Sequence, residues 1–229
     1  MSTLTLRLPG GESLEFQARR LVMLGYTGRD QDAVRAHIEE LKHEGVPPPP
    51  SVPLCMPVPA RNLGADGEID VVSPRTSGEA EAVLLLHRGR LFVAAGSDHT
   101  DRELERHSIL QSKQTCPKLL GAEVWPFDEV RAHWDRLELK SWTDDGRGGE
   151  RLYQAGTLGM LLPPERLLEL AREVAGQELN DGLAVFGGTV PVQGGELICG
   201  GRFRAELRDP VRGRALKLDY RIRTLAGAV

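Results

Sequence analysis

Residues 77–98 read SGEAEAVLLLHRGRLFVAAGSD: two apolar runs joined at Arg88-Gly89, with two glutamates at the mouth of the first. The runs predict a strand, a turn and a returning strand. Side chains in a strand alternate with period two, so Glu79 and Glu81 share one face, with Ala80 and Ala82 on the other. Like charges at that spacing repel, and they require either open solvent or a cation between them. Solvent makes the stretch an edge strand with an acidic outer face. A cation makes the pair two oxygen ligands of a hard divalent ion. The returning strand ends at Asp98, seventeen residues after Glu81, which brings a third carboxylate back towards the pair.

Outward from this hairpin, the chain alternates strands with a few inserted helices. Residues 3–26 predict a hairpin turning at Pro9-Gly10-Gly11 and then a further strand. Residues 28–45, GRDQDAVRAHIEELKHEG, predict a helix capped by Asp30 or Asp32, with Val34, Ile38 and Leu41 as its apolar stripe and Gly45 as its stop. The proline-rich residues 46–63 predict an extended, semi-rigid segment. A further strand is expected at 68–72, a short helix at 100–110, a strand with a helix or mixed segment within 122–142, and a hairpin with a loose tip at 143–156. Residues 163–176, PPERLLELAREVAG, form the clearest helix pattern, with prolines at the start and Gly176 after the end. Residues 182–222 read as strands and glycine turns. Strands with inserted helices, without regular βαβ alternation, indicate an α+β fold with a large mixed or antiparallel sheet system.

With 229 residues and 40% hydrophobic content, the chain can bury a substantial core. A net charge of −4, without a basic block, argues against nucleic acid as a partner. Cys55, Cys116 and Cys199 are widely spaced and odd in number, which disfavours a zinc-thiolate site or a disulfide framework and fits a reducing compartment. No apolar run has the length of a membrane span, and the N-terminus lacks the continuous apolar segment of a signal peptide. A cytoplasmic protein without a membrane partner is expected.

Four motifs in register carry a family resemblance. GEAEAVLLL followed by AAGSDHTDRELE resembles the fumarylacetoacetate hydrolase family, whose pattern is a Glu-x-Glu strand and then Asn-Asp-x-(Ser/Thr)-x-Arg-Asp; here the second part runs from Ser97 to Glu103. Residues 112–130, SKQTCPKLLGAEVWPFDEV, are similar to its lysine segment, residues 167–191 to the segment ending in Gly-Thr-Pro, and residues 200–222 to its closing strands. The resemblance spans about Gly25 to Ile222, and GYTGRD…HIEEL…GVPPP is similar to an uncharacterised bacterial branch.

The resemblance implies a mixed β-sandwich or β-roll with a few short helices. Residues 1–229 would then form a single catalytic domain, with an N-terminal hairpin and lid-like helix in 1–60 and a metal-binding core in 61–229. It implies a homodimer and a divalent-metal hydrolase that cleaves a C–C bond in a small 2-oxo or dicarbonyl acid. The ligands are Glu79, Glu81 and Asp98 and the ion Mg²⁺ or Mn²⁺, which would stabilise the departing enolate. Decarboxylation, hydration and isomerisation share the same site chemistry, and a non-catalytic binding protein with an idle site is the alternative from another class. Lys113 matches the lysine that steadies a substrate carbonyl, with Lys118 as its competitor. Gly188 and Thr189 stand where the family holds a substrate carboxylate, although Val190 is inserted before Pro191. His37 and Glu40 have the spacing of a water-activating dyad on one helical face; counted by the family's own spacing, the position falls near Arg29, which would instead clamp an anion. Glu105 stands at a substrate-binding glutamine position, and Ser97 replaces the asparagine beside Asp98.

Overall fold

The structure, a computed structural model, describes residues 2–43, 45–65, 67–144, 149–177 and 181–225. The expected tip of the 143–156 hairpin lies largely outside them. In chain order the strands are β1 (Ser2–Arg7), β2 (Ser13–Ala18), β3 (Arg20–Gly25), β4 (Leu54–Val58), β5 (Leu63–Ala65), β6 (Gly67–Val71), β7 (Thr76–Ser77), β8 (Ala80–His87), β9 (Arg90–Asp98) and β10 (Thr100–Asp101). They continue with β11 (Lys118–Pro126), β12 (Glu138–Asp144), β13 (Glu150–Thr157), β14 (Leu183–Thr189), β15 (Arg202–Asp209) and β16 (Arg214–Thr224). Among the described residues, four α-helices are interspersed: α1 (Gln31–His43), α2 (Arg102–Glu105), α3 (Ile109–Thr115) and α4 (Pro164–Ala175). The fold is mixed α+β and dominated by strands. None of the described helices is long and apolar enough to cross a membrane.

The larger sheet has the order β2-β1-β11-β9-β8-β14-β3-β4, with β5 on β11; the smaller has the order β13-β12-β15-β16-β6. The larger sheet curls, and residues from both its ends, Phe16 of β2 and Met56 of β4, enter one inner core with Val83, Leu85, Phe92 and Phe186. Its other face packs on the smaller sheet, where Ala82, Leu84 and Val93 meet Phe203, Leu207 and Leu218. Strand β8 is therefore buried on both faces, which is why AVLLL is continuously apolar rather than alternating. The edge-strand alternative is overturned, because β8 lies between β9 and β14.

The helix ends follow their sequence signals. Asp30 Oδ1 accepts the Asp32 and Ala33 N–H groups at 3.0 Å, and α1 stops before Gly45. Helix α4 begins at Pro164 and closes at Gly176, burying Leu167, Leu170 and Ala171 against the larger sheet. The proline-rich segment leads into β4, which lies at the edge of the sheet, the place where a strand tolerates a proline such as Pro57.

Candidate metal centre

The site is assembled by strand register. Arg88 and Gly89, with φ of 48° and 74°, form a two-residue turn that sets His87 opposite Arg90. The register runs down the hairpin to Ala80 opposite Ser97, and one step beyond it the Asp98 amide donates to the Glu79 carbonyl at 2.9 Å. Glu79, Glu81 and Asp98 continue the face that carries Val83, Leu85, Phe92 and Ala94 into the inner core. The flanking strands contribute to the same end of the roll. Lys118 of β11 lies opposite Asp98, Gly188 is the penultimate residue of β14, and Tyr26 follows β3.

One carboxylate oxygen from each of Glu79, Glu81 and Asp98 lies within 4.8 Å of the others. Cations face two of the three. Lys113 Nζ sits 2.6 Å from Glu79 Oε2, 2.8 Å from Asp98 Oδ2 and 3.0 Å from Thr100 Oγ1. Lys118 Nζ sits 2.8 Å from Asp98 Oδ1 and donates to the His99 carbonyl at 2.5 Å. Arg102 Nη2 sits 3.0 Å from Glu79 Oε1. Burial pushes the Glu79 carboxyl up, but Lys113 and Arg102 outweigh it and hold Glu79 well below the usual range. Glu81 differs. It is 3 % exposed, makes no ion pair among the described residues, and accepts one hydrogen bond, from the Gly188 N–H at 2.7 Å. Burial, then Asp98 and Glu79, raises it well above the ordinary value. A buried carboxylate without a cation beside two others is the environment that a divalent ion relieves. The three oxygen donors, with no sulfur among them, fit a hard ion such as Mg²⁺ or Mn²⁺.

The other expected site residues are distributed unevenly. Lys113 reaches the cluster from α3, and Lys118 reaches it too but is fully buried against Asp98. Glu105 is paired with Arg102 at 2.9 Å, so its charge is compensated. Gly188 supplies its amide to Glu81; its φ of 93° and the 2.1 Å that would separate an added Cβ from Thr27 Oγ1 exclude a larger residue. Thr189 needs correction as a carboxylate-binding hydroxyl, because that group already donates to the Ala80 carbonyl at 2.7 Å and accepts from Gln154 at 2.6 Å. Arg29 needs correction as an anion clamp. Its guanidinium forms a bidentate pair with Asp135, at 2.7 and 2.5 Å, and donates to the Leu161 carbonyl, which fixes the base of α1. His37 and Glu40 lie on exposed α1 with Nδ1 and Oε2 3.6 Å apart.

Two site residues escape the sequence reading. Arg102 is 9 % exposed and ties Glu79, Glu105 and Ser77 together, Ser77 Oγ accepting at 2.7 Å. Its place in HTDRE matched a motif, but the motif did not say whom it pairs with. Tyr26 takes a left-handed φ of 57° and lies 6.5 Å, ring to ring, from His37. Burial, with Glu105 next, raises its phenol to about 12. Tyr26 thus lies between α1 and the charged cluster. On the opposite face, Ser97 and His99 both bond the Tyr220 hydroxyl at 2.9 Å, so the replaced asparagine position joins the two sheets.

Solved structures with the same fold include Cg1458, at 13% identity over 96% of this chain and 88% of that chain, with a TM-score of 0.64. A second is 2-keto-3-deoxy-D-arabinonate dehydratase complexed with magnesium and 2,5-dioxopentanoate, at 17% identity over 91% of this chain and 75% of that one, with a TM-score of 0.61. A third is an uncharacterised protein from Mycobacterium abscessus, at 15% identity over 96% and 90% of the two chains, with a TM-score of 0.60. At such identities the likeness concerns the fold alone. No curated protein matches the chain in sequence. Residues 24–220 match the family described as "Protein of unknown function (DUF2848)", and the chain belongs to that family.

Proposed function

We propose that this protein is a divalent-metal-dependent enzyme with the roll of the fumarylacetoacetate hydrolase type, acting on a small 2-oxo acid and cleaving a C–C bond by hydrolysis. The observation that carries the reading is Glu81, buried and without a cation between Glu79 and Asp98. Glu79, Glu81 and Asp98 would hold Mg²⁺ or Mn²⁺. When bound, that ion supplies Lewis-acid stabilisation of the negative charge that develops as the bond breaks. Lys113, held by Glu79, Asp98 and Thr100, can turn its ammonium to the substrate carbonyl oxygen and steady the same charge. His37, steadied by Glu40, takes a proton from water on the α1 side, with Tyr26 between it and the cluster. Glu105 and the Gly188-Thr189 turn border the substrate space rather than bind its charge directly. The reading makes residues 1–229 one catalytic domain, with 1–60 bearing the lid-like helix, acting as a cytoplasmic homodimer.

A second reading keeps the ion and Lys113 but releases water instead of splitting carbon from carbon. It is favoured by the likeness to the dehydratase complexed with magnesium and 2,5-dioxopentanoate. The test is calorimetric titration of Mg²⁺ and Mn²⁺ into wild type and Asp98→Asn, followed by turnover of a panel of acylpyruvates and 2-keto-3-deoxy acids. Wild type should bind the ion and the variant should lose at least about tenfold in affinity. Acylpyruvate turnover supports hydrolysis, and keto-deoxy acid turnover the second reading. Equal affinity in the two proteins overturns the ligand assignment.

A further inference from the structure

We propose that Gln154 is a positioning residue of this centre, setting the spacing of Glu79 and Glu81 through the backbone of Ala80 and thereby favouring a small divalent ion over a large one. The inference rests on the metal reading above.

Gln154 belongs to β13 of the smaller sheet, yet it is fully buried at the junction with the larger one. Its Oε1 accepts from the Ala80 N–H and from Ser141 Oγ, each at 2.9 Å. Its Nε2 donates to Thr189 Oγ1 at 2.6 Å and to the Val190 carbonyl at 3.0 Å. The Thr189 hydroxyl passes its own proton to the Ala80 carbonyl at 2.7 Å. Both backbone groups of the residue between the two glutamates are therefore held by one amide, the N–H directly and the C=O through a hydroxyl. The neighbouring Gly188 N–H orients Glu81 itself. Val190, the residue inserted before Pro191, supplies one of the four partners.

Only a primary amide fits this set. Ala80 N–H can only donate and Val190 C=O can only accept, which fixes the orientation of the Gln154 amide and uses two acceptor and two donor positions at once. A glutamate has no donors, and a methionine of similar length has neither kind. Removing the amide leaves the Ala80 N–H, the Ser141 hydroxyl and the Val190 carbonyl without this partner, takes one bond from the Thr189 hydroxyl, and lets the Glu79-Ala80-Glu81 backbone move. Mg²⁺ requires a near-octahedral shell at about 2.0–2.1 Å, whereas Ca²⁺ accepts irregular shells at about 2.3–2.6 Å. A loosened pair of ligands therefore penalises Mg²⁺ more.

The experiment titrates Mg²⁺ and Ca²⁺ separately into wild type, Gln154→Met, Thr189→Val and Thr189→Ser by calorimetry, with a melting curve for each protein. Gln154→Met should weaken Mg²⁺ binding about 10–100-fold and Ca²⁺ binding by less, so the ratio of the two affinities falls. Thr189→Val should lower that ratio too, and Thr189→Ser, which keeps the hydroxyl, should preserve it. A purely structural role would lower melting temperatures but leave the ratio untouched in both Gln154→Met and Thr189→Val, and that result overturns the proposal. If Gln154→Met does not fold, the threonine pair decides: equal ratios in Thr189→Val and Thr189→Ser overturn it. Wild type that binds neither ion removes the metal reading and this inference with it.

Discussion

Glu81→Gln should make the metal-free protein more stable while abolishing its response to metal. Glu81 is 3 % exposed, and burial, then Asp98 and Glu79, holds its pKa well above the usual 4.5. A carboxyl raised on folding stabilises the native state only while protonated in both states. The unfolded chain releases the proton near 4.5 and the native one retains it, so stability falls as pH rises from there to the native value. The slope is at most about 1.4 kcal/mol per pH unit, which bounds the loss at pH 7 at about 3.4 kcal/mol. Glutamine keeps an acceptor for the Gly188 N–H and removes this loss. The metal-free variant should therefore gain up to about 3 kcal/mol at pH 7, or roughly 6–12 °C in melting temperature for a chain of this size, and nothing near pH 4.5. Mg²⁺ at 100 times its Kd should stabilise wild type by about 2.7 kcal/mol and leave the variant unchanged. Thermal melts in EDTA and in Mg²⁺, at pH 5 and pH 7, read all four states. A variant that melts lower than wild type in EDTA at pH 7, or that keeps the Mg²⁺ shift, refutes the reasoning.

Two further substitutions separate the roles proposed for Lys113 and His37. Lys113→Met removes the ammonium that bridges Glu79 and Asp98. It should tighten Mg²⁺ binding about tenfold, the equivalent of one lost charge-assisted bond, and lower turnover about 10²–10³-fold; calorimetry and steady-state rates check the two halves, and weaker ion binding contradicts the assignment. His37→Ala, on the exposed face of α1, should cut hydrolysis about 10²–10⁴-fold, with stability within about 0.5 kcal/mol of wild type and Mg²⁺ affinity unaltered. Undiminished turnover removes His37 from the mechanism.

Local pattern made much of this legible. The period of two placed Glu79 and Glu81 on one face, and the Arg88-Gly89 turn brought Asp98 back to them, because both effects act within one hairpin. The capping aspartate of α1 and the prolines of α4 marked helices for the same reason. The continuous AVLLL run also carried a signal of two-sided burial, which is what excludes the edge-strand alternative. Partners distant in sequence were not legible. Arg29 had the charge of an anion clamp, and nothing near it announced Asp135 as its partner. Thr189 had the chemistry to hold a substrate, but its hydroxyl was committed to Ala80 and Gln154 on other strands. Arg102 and Tyr26 joined the site through the roll's closure, which no window of residues contains.

Helix α1 has Val34 as its one buried residue, while Arg29 pins the chain just before it. The carboxylates of Glu81 and Asp98, by contrast, hang from β8 and β9, whose residues 80–87 and 92–98 are buried. In native-state hydrogen exchange the amides of 31–43 should trade with solvent through small, frequent openings, and those of 80–98 only when the larger sheet itself opens. The two segments thus run on separate clocks, and α1 can open and close without disturbing the strands beneath.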